Sequence, residues 1–187
     1  MDRSALGDEE LALALKAGDE AAFDELVRRC QGRVYAVAYR ITGNREDALD
    51  VAQEVLLKAY RKIDSWQPTR GFLPWLMRLT TNQSIDHLRR QRRHKHEAFE
   101  EALGGENVLE PATQETARDV RANEIDGRVQ KALVVLSPTQ RAVFVLRHYE
   151  GLALAEIAES LRCTVGSVKV HLFRALKKLQ KELEDLQ

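Results

Sequence analysis

Apolar residues recur at spacings of three and four along most of the chain, and no alternation of apolar and polar positions survives more than a few residues. This pattern predicts an all-α protein. Phe23, Leu26, Val27, Cys30, Val34 and Ala38 form one stripe, which stops at Gly43. Asn44 then offers a helix N-cap, and Glu46 and Asp47 follow in the first turn, where carboxylates meet the positive end of the helix dipole. The helix that starts there is expected to bury Val51, Ala52, Val55, Leu56 and Ala59, and the chain breaks in the loop DSWQPTRG, Asp64 to Gly71. A further helix carries Phe72, Trp75, Leu76, Leu79, Ile85 and Leu88 and is expected to finish in the basic run DHLRRQRRHKH, at 86–96.

Beyond that run the period weakens. Gly104, Gly105 and Pro111 appear and acidic residues dominate up to Asp119, a composition suited to a flexible linker rather than a core. Ile125, Val129, Leu133 and Leu136 restart a helical stripe, and SPTQ marks the next helix start: Ser137 caps, Pro138 suits the first helical position and Gln140 completes a capping box. Three short helices follow, from Pro138 to near Tyr149, from Ala153 to near Leu161 and from Val165 to near Leu183. The expected architecture is therefore two small helical domains joined by a flexible acidic linker.

Composition narrows the class. The chain has 187 residues, 44% of them hydrophobic, enough for one ordinary domain or two small ones. Its apolar runs fall far short of the roughly 20 residues that cross a bilayer, and the N-terminus MDRSALGDEE is acidic where an export signal is basic. A cytoplasmic location is expected. Cys30 and Cys163 stand apart without a CxxC and read as bystander thiols. His87, His94 and His96 sit in or beside an Arg/Lys run that repels cations, so no metal is expected. No Gly-rich phosphate loop, activated nucleophile or carboxylate pair is evident, so neither a cofactor, a small-molecule substrate nor an enzyme is expected.

The formal net charge of zero conceals blocks of opposite sign, and the most informative block is TVGSVKVHLFRALKK, Thr164 to Lys178. Ile157, Ala158 and Leu161 on one helix, and Val165, Val168 and Leu172 on the next, have the spacing of buried positions in a helix-turn-helix, with Thr164 as cap. The solvent face left over carries Ser167, Lys169, Val170, His171, Arg174 and Lys177, residue types that meet phosphates and base edges in a major groove.

Three blocks together, NREDALDVAQEVLLKAYRKIDSW, GFLPWLMRLTTNQSIDHLRRQRR and LSPTQRAVFVLRHYEGLALAEIAESLRCTVGSVKVHLFRALKKL, resemble the extracytoplasmic-function group of bacterial RNA polymerase sigma factors of the sigma-70 family. The resemblance is to the two-domain minimal form: a region 2 domain at 8–93, a linker at 94–124 and a region 4 helix-turn-helix domain at 125–187. It implies an alternative sigma factor that binds core RNA polymerase, through the β′ clamp helices and the β subunit, and directs initiation at its promoters. Asp50, Gln53 and Glu54 match the segment that docks on the clamp helices. Trp66, Arg70, Phe72 and Asn82, with phosphate-binding Arg78, Arg89, Arg90, Arg92 and Arg93, match the part that melts and reads the -10 element; core and DNA-wall roles stay open for Phe72. Ser167, Lys169, His171, Phe173, Arg174 and Lys177 match the -35 reader, with Phe173 equally able to pack inward. Val170-His171 and Arg162 depart from the Ser-Arg and Gly common in the family, which leaves the -35 sequence open. The family also implies an anti-sigma partner, soluble or at the inner membrane face. Glu100, Glu101, Glu106 and Glu110 make the linker either a plain tether or a segment that occupies the polymerase's basic channel. The alternative reading is a stand-alone helix-turn-helix regulator.

Overall fold

The computed structural model describes residues 3–101 and 130–184. Among them no strand occurs. Four helices build the N-terminal unit: α1 (Asp8–Lys16), α2 (Ala21–Thr42), α3 (Arg45–Arg61) and α4 (Phe72–Glu101). The stripe on α2 packs on α3 and α4, and α1 closes the remaining side. Leu11, Val34, Val37, Ile41, Val51, Val55, Leu76 and Met77 are buried at its centre.

The helix boundaries follow local chemistry. Gly43 ends α2 at φ 75°, a left-handed conformation that glycine adopts without cost. Asn44 starts α3, its side-chain oxygen accepting from the Asp47 amide at 3.1 Å. Inside α4, buried Thr80 and Ser84 donate their hydroxyls to the carbonyls of Leu76 and Thr80 at 2.9 and 2.8 Å, so neither hydroxyl lies unmet in the core. One boundary differs from expectation. α4 runs past the basic stretch to Glu101, because residues 94–101 contain good helix formers and neither glycine nor proline before Gly104. The rest of the expected linker, with Glu106 and Glu110, lies outside the described residues.

The C-terminal unit comprises a short helical stretch at 130–134, then α5 (Pro138–His148), α6 (Leu154–Ser160) and α7 (Val165–Glu184). The capping box at the start of α5 is formed in both directions: the Gln140 amide donates to Ser137 Oγ at 3.3 Å and the Ser137 amide to Gln140 Oε1 at 3.2 Å. Helices α6 and α7 cross through buried Ile157, Ala158 and Val168. Leu161 and Leu172 are half-buried, whereas Val165, at the first position of α7, stands exposed beyond the packed stripe. Thr164 caps α7 by accepting from the Ser167 amide at 3.1 Å. The turn between them holds Arg162 at φ 51°, a strained conformation for a residue with a Cβ, in the position where the family pattern has Gly.

The two units touch. Helix α5 packs against α2 and α4. From α5, Arg141 donates Nη1 to the Ile41 carbonyl at 2.8 Å, at the end of α2, and Nη2 to the Val134 carbonyl at 3.1 Å. Burial, and secondarily the charge of Arg92, pull the Arg141 guanidinium down to about 10. A carbonyl at a helix C-terminus is a good partner for such a cation.

Candidate nucleic-acid interface

Helix α3 turns Asp50, Gln53 and Glu54 to solvent together, because spacings of three and four place them on one side while Val51, Ala52 and Val55 face the core. Leu49 and Leu57, 46% and 54% exposed, flank them. The result is an acidic patch with an apolar border, a composition suited to a protein surface rather than to DNA. Glu54 is held in place: buried Gln83 on α4 donates its amide to Glu54 Oε2 at 2.5 Å, and its own oxygen accepts from Lys58 Nζ at 2.9 Å. Arg90 approaches the same carboxylate at 3.5 Å. Neither Gln83 nor Lys58 stands out in the sequence, because only the α3–α4 crossing brings them together.

The loop before α4 corrects part of the expected -10 site. Trp66, expected as a wall for an extruded base, is fully buried, and Phe72 is 3% exposed. Trp66 donates its indole N–H to the Gly71 carbonyl at 3.1 Å and meets the Phe72 ring edge-on at 5.9 Å; Phe72 in turn leans on Trp75 at 5.6 Å. Lys16 from α1 donates to the carbonyls of Asp64 and Trp66, both at 3.1 Å, and ties the loop down. An aromatic residue of this size recovers more by filling the bundle end than by facing water. The two aromatics therefore hold the loop in shape and leave its polar side chains at the surface. That surface has exposed Arg70, Arg89 and Arg90, half-buried Arg78, and half-buried Asn82 one helical turn beyond.

On α7, Lys169, Val170, Phe173, Arg174 and Lys177 are exposed, and Phe173, 67% exposed, does not pack inward. Ser167 is half-buried at the cap. His171 is also half-buried, with its Nδ1 out of reach of solvent, so only part of the ring is open to a ligand. The face that remains is cationic with an apolar strip, and it projects from the second helix of a helix-turn-helix. Cys30 lies in the N-terminal core, where burial pushes its thiol up to about 11 and keeps it protonated, away from all three surfaces.

Sequence comparison assigns both units. Residues 26–94 match the family model for sigma-70 region 2, and residues 126–179 match that for sigma-70 region 4. The chain is 33% identical over 178 residues to the ECF RNA polymerase sigma factor SigW of Bacillus subtilis, spanning 92% of this chain and 94% of that one. It is 37% identical over 166 residues to the ECF RNA polymerase sigma factor SigE of Mycolicibacterium smegmatis, 87% of this chain and 63% of that one. Among solved structures it resembles CnrH in complex with the cytosolic domain of CnrY, with a TM-score of 0.66, 28% identity and coverage of 95% and 97%. With both sigma regions in order on one all-helical chain, this protein belongs to the extracytoplasmic-function sigma factors of the sigma-70 family.

Proposed function

We propose that residues 8–93 serve as the region 2 domain and residues 125–187 as the region 4 domain of an alternative sigma factor, with 94–124 as the connection between them. Asp50, Gln53 and Glu54 dock on the β′ clamp helices of core RNA polymerase, Glu54 being oriented by Gln83. Arg70, Asn82, Arg89 and Arg90 engage the -10 element as it opens, the arginines through phosphates and Asn82 through a base edge. Trp66 and Phe72 act on this step through the loop they support. Helix α7 enters the major groove of the -35 element with Lys169, Arg174 and Lys177 on phosphates, while Ser167, His171 and Phe173 lie nearest the bases.

The observation that carries this reading is the sign and position of the exposed faces: acidic with an apolar border on α3, cationic on α7, each within the sigma region expected to use it. Catalysis belongs to the polymerase, and the chain supplies promoter choice. A protein partner like the one that binds CnrH is the expected regulator. No described helix is long and apolar enough to cross a membrane.

Run-off transcription with purified core polymerase on a pooled promoter library tests the proposal. New transcript starts sharing two upstream elements at fixed spacing are expected only when the protein is present. Tight duplex binding by the protein alone, with no new starts, would replace it with a stand-alone regulator.

A further inference from the structure

The turn between α6 and α7 is built on a residue that its own backbone conformation disfavours. Helix α6 closes with two backbone hydrogen bonds, from the Arg162 amide to the Glu159 carbonyl at 3.2 Å and from the Cys163 amide to the Ala158 carbonyl at 2.9 Å. This paired closure needs a left-handed residue just past the helix end, and Arg162 fills that place at φ 51°. Glycine would do so without the clash between Cβ and carbonyl oxygen, and Gly43, which ends α2 at φ 75°, does the same job in this chain. Among the described residues Arg162 is the one non-glycine residue with positive φ.

Nothing inside the fold accounts for an arginine there. Its side chain is exposed, and it forms no ion pair among the described residues. The two carboxylates of α6 are engaged elsewhere, Glu159 with Arg70 and Glu156 with the Ala153 amide at 2.6 Å. A cation near a helix C-terminus is favoured by the dipole, but the carbonyls of Ile157, Ala158 and Glu159 each already accept a backbone amide. Little of the helix-end charge is left for a side chain to neutralise.

Position supplies the reason that packing does not. Arg162 stands two residues before Thr164, whose hydroxyl caps α7 by accepting from the Ser167 amide. The first turn of α7 carries Val165 and Gly166, exposed and uncharged, so the cations of that face begin only at Lys169. A helix whose N-terminal part enters a major groove brings the turn before it to the edge of the groove, where the phosphates run. We infer that Arg162 binds a backbone phosphate of the -35 duplex at that edge, and that the strained backbone is kept because glycine, which would relieve it, carries no charge. The inference rests on the reading of α7 as the duplex-binding helix. It adds to that reading a contact outside α7 that fixes how the helix lies in the groove and carries no sequence preference of its own.

The test uses the full-length protein, thermal unfolding, and anisotropy titrations of a fluorescent random-sequence duplex at several salt concentrations. Arg162→Gly should move stability and binding in opposite directions. Its melting temperature should rise by about 2–4 °C as the strain is released. Its duplex affinity should fall about three- to tenfold, with the salt slope smaller by about 0.9. Arg162→Lys keeps both the charge and the strained backbone, so it should keep the wild-type slope and melting temperature. Arg174→Ala, inside the α7 face, checks the underlying reading in parallel. A slope unchanged in Arg162→Gly but reduced in Arg174→Ala would overturn the inference and leave that reading standing, whereas slopes unchanged in both would overturn the two together. A melting temperature that falls while the slope holds would assign the cation to the end of α6 instead. A slope reduced equally by Arg162→Lys would also overturn the inference, by showing that the charge is not what the duplex meets.

Discussion

The cations of the two surfaces proposed to meet DNA differ in what they touch. On the N-terminal unit four of the six arginines are engaged within the protein: Arg70 and Arg78 with Glu159, Arg89 with Asp86 at 3.7 Å, Arg90 with Glu54 at 3.5 Å. On α7, Lys169, Arg174 and Lys177 form no ion pair among the described residues. A free cation binds a phosphate by releasing counterions from the DNA, whereas a paired one must first surrender its carboxylate. The proposed duplex contact by α7 therefore needs no ion pair broken, whereas the proposed strand contact by Arg70, Arg78, Arg89 and Arg90 does. The pairing of Arg90 with Glu54 adds a link within the N-terminal unit, because the same carboxylate belongs to the patch proposed to dock on polymerase.

The largest expected effect separates support from contact. Trp66→Ala should lower the unfolding free energy by about 3–5 kcal/mol, as truncation of a fully buried aromatic does, measured by denaturant titration. A normal stability with a selective loss of single-strand binding would instead restore Trp66 to the DNA surface. Next in size, Arg174→Ala or Lys169→Ala should weaken duplex binding across sequences and reduce its salt slope by about 0.9 each, read by fluorescence anisotropy at several salt concentrations. An unchanged slope would remove that residue from the phosphate contacts of α7.

The caps probe whether the junction couples the two units. Asn44→Ala and Ser137→Ala should each cost about 1 kcal/mol. If α5 holds the units together, both variants shift one common thermal transition; two transitions that respond separately would mean the units unfold independently.

The smallest effect concerns pH. Arg28 and then Arg29 hold the Glu25 carboxyl down to about 2, against 4.5 ordinarily. Between these values the unfolded chain binds the proton and the folded one does not, so the contribution of Glu25 is complete above pH 4.5 and fades as pH falls through about 2. Glu25→Gln should therefore flatten the acid limb of stability over that window, seen as a smaller loss of Tm between pH 5 and pH 3 than in the wild type. A parallel acid limb in the two proteins would show that the pairing persists in the unfolded chain.

Much of this protein was legible before its structure. Periodicity located the helices from α2 onward but not α1, and Gly43, Asn44, Ser137 with Gln140, and Thr164 marked ends where the capping hydrogen bonds in fact form. These signals are local: each involves residues within one helical turn, so neighbouring sequence suffices to specify them. The amphipathic split of α3 and α7 was equally readable, because a helix with one apolar face must turn the other to solvent. The end of α4 is not legible in the same way, since a run of basic residues changes the charge of a helix without breaking it, and no glycine or proline follows Pro74 before Gly104.

What the chain by itself determined is the set of helices, the helix-turn-helix and the sign of each exposed face. Tertiary structure alone decided that Trp66 went inward, because it lies on a loop whose period says nothing about which side meets the bundle. It also decided the partners of the charged groups. Gln83 reaches Glu54 across 29 positions and Glu159 reaches Arg70 across 89, and no local pattern specifies such a pair: it exists only where the packing of one helix on another brings opposite charges within reach.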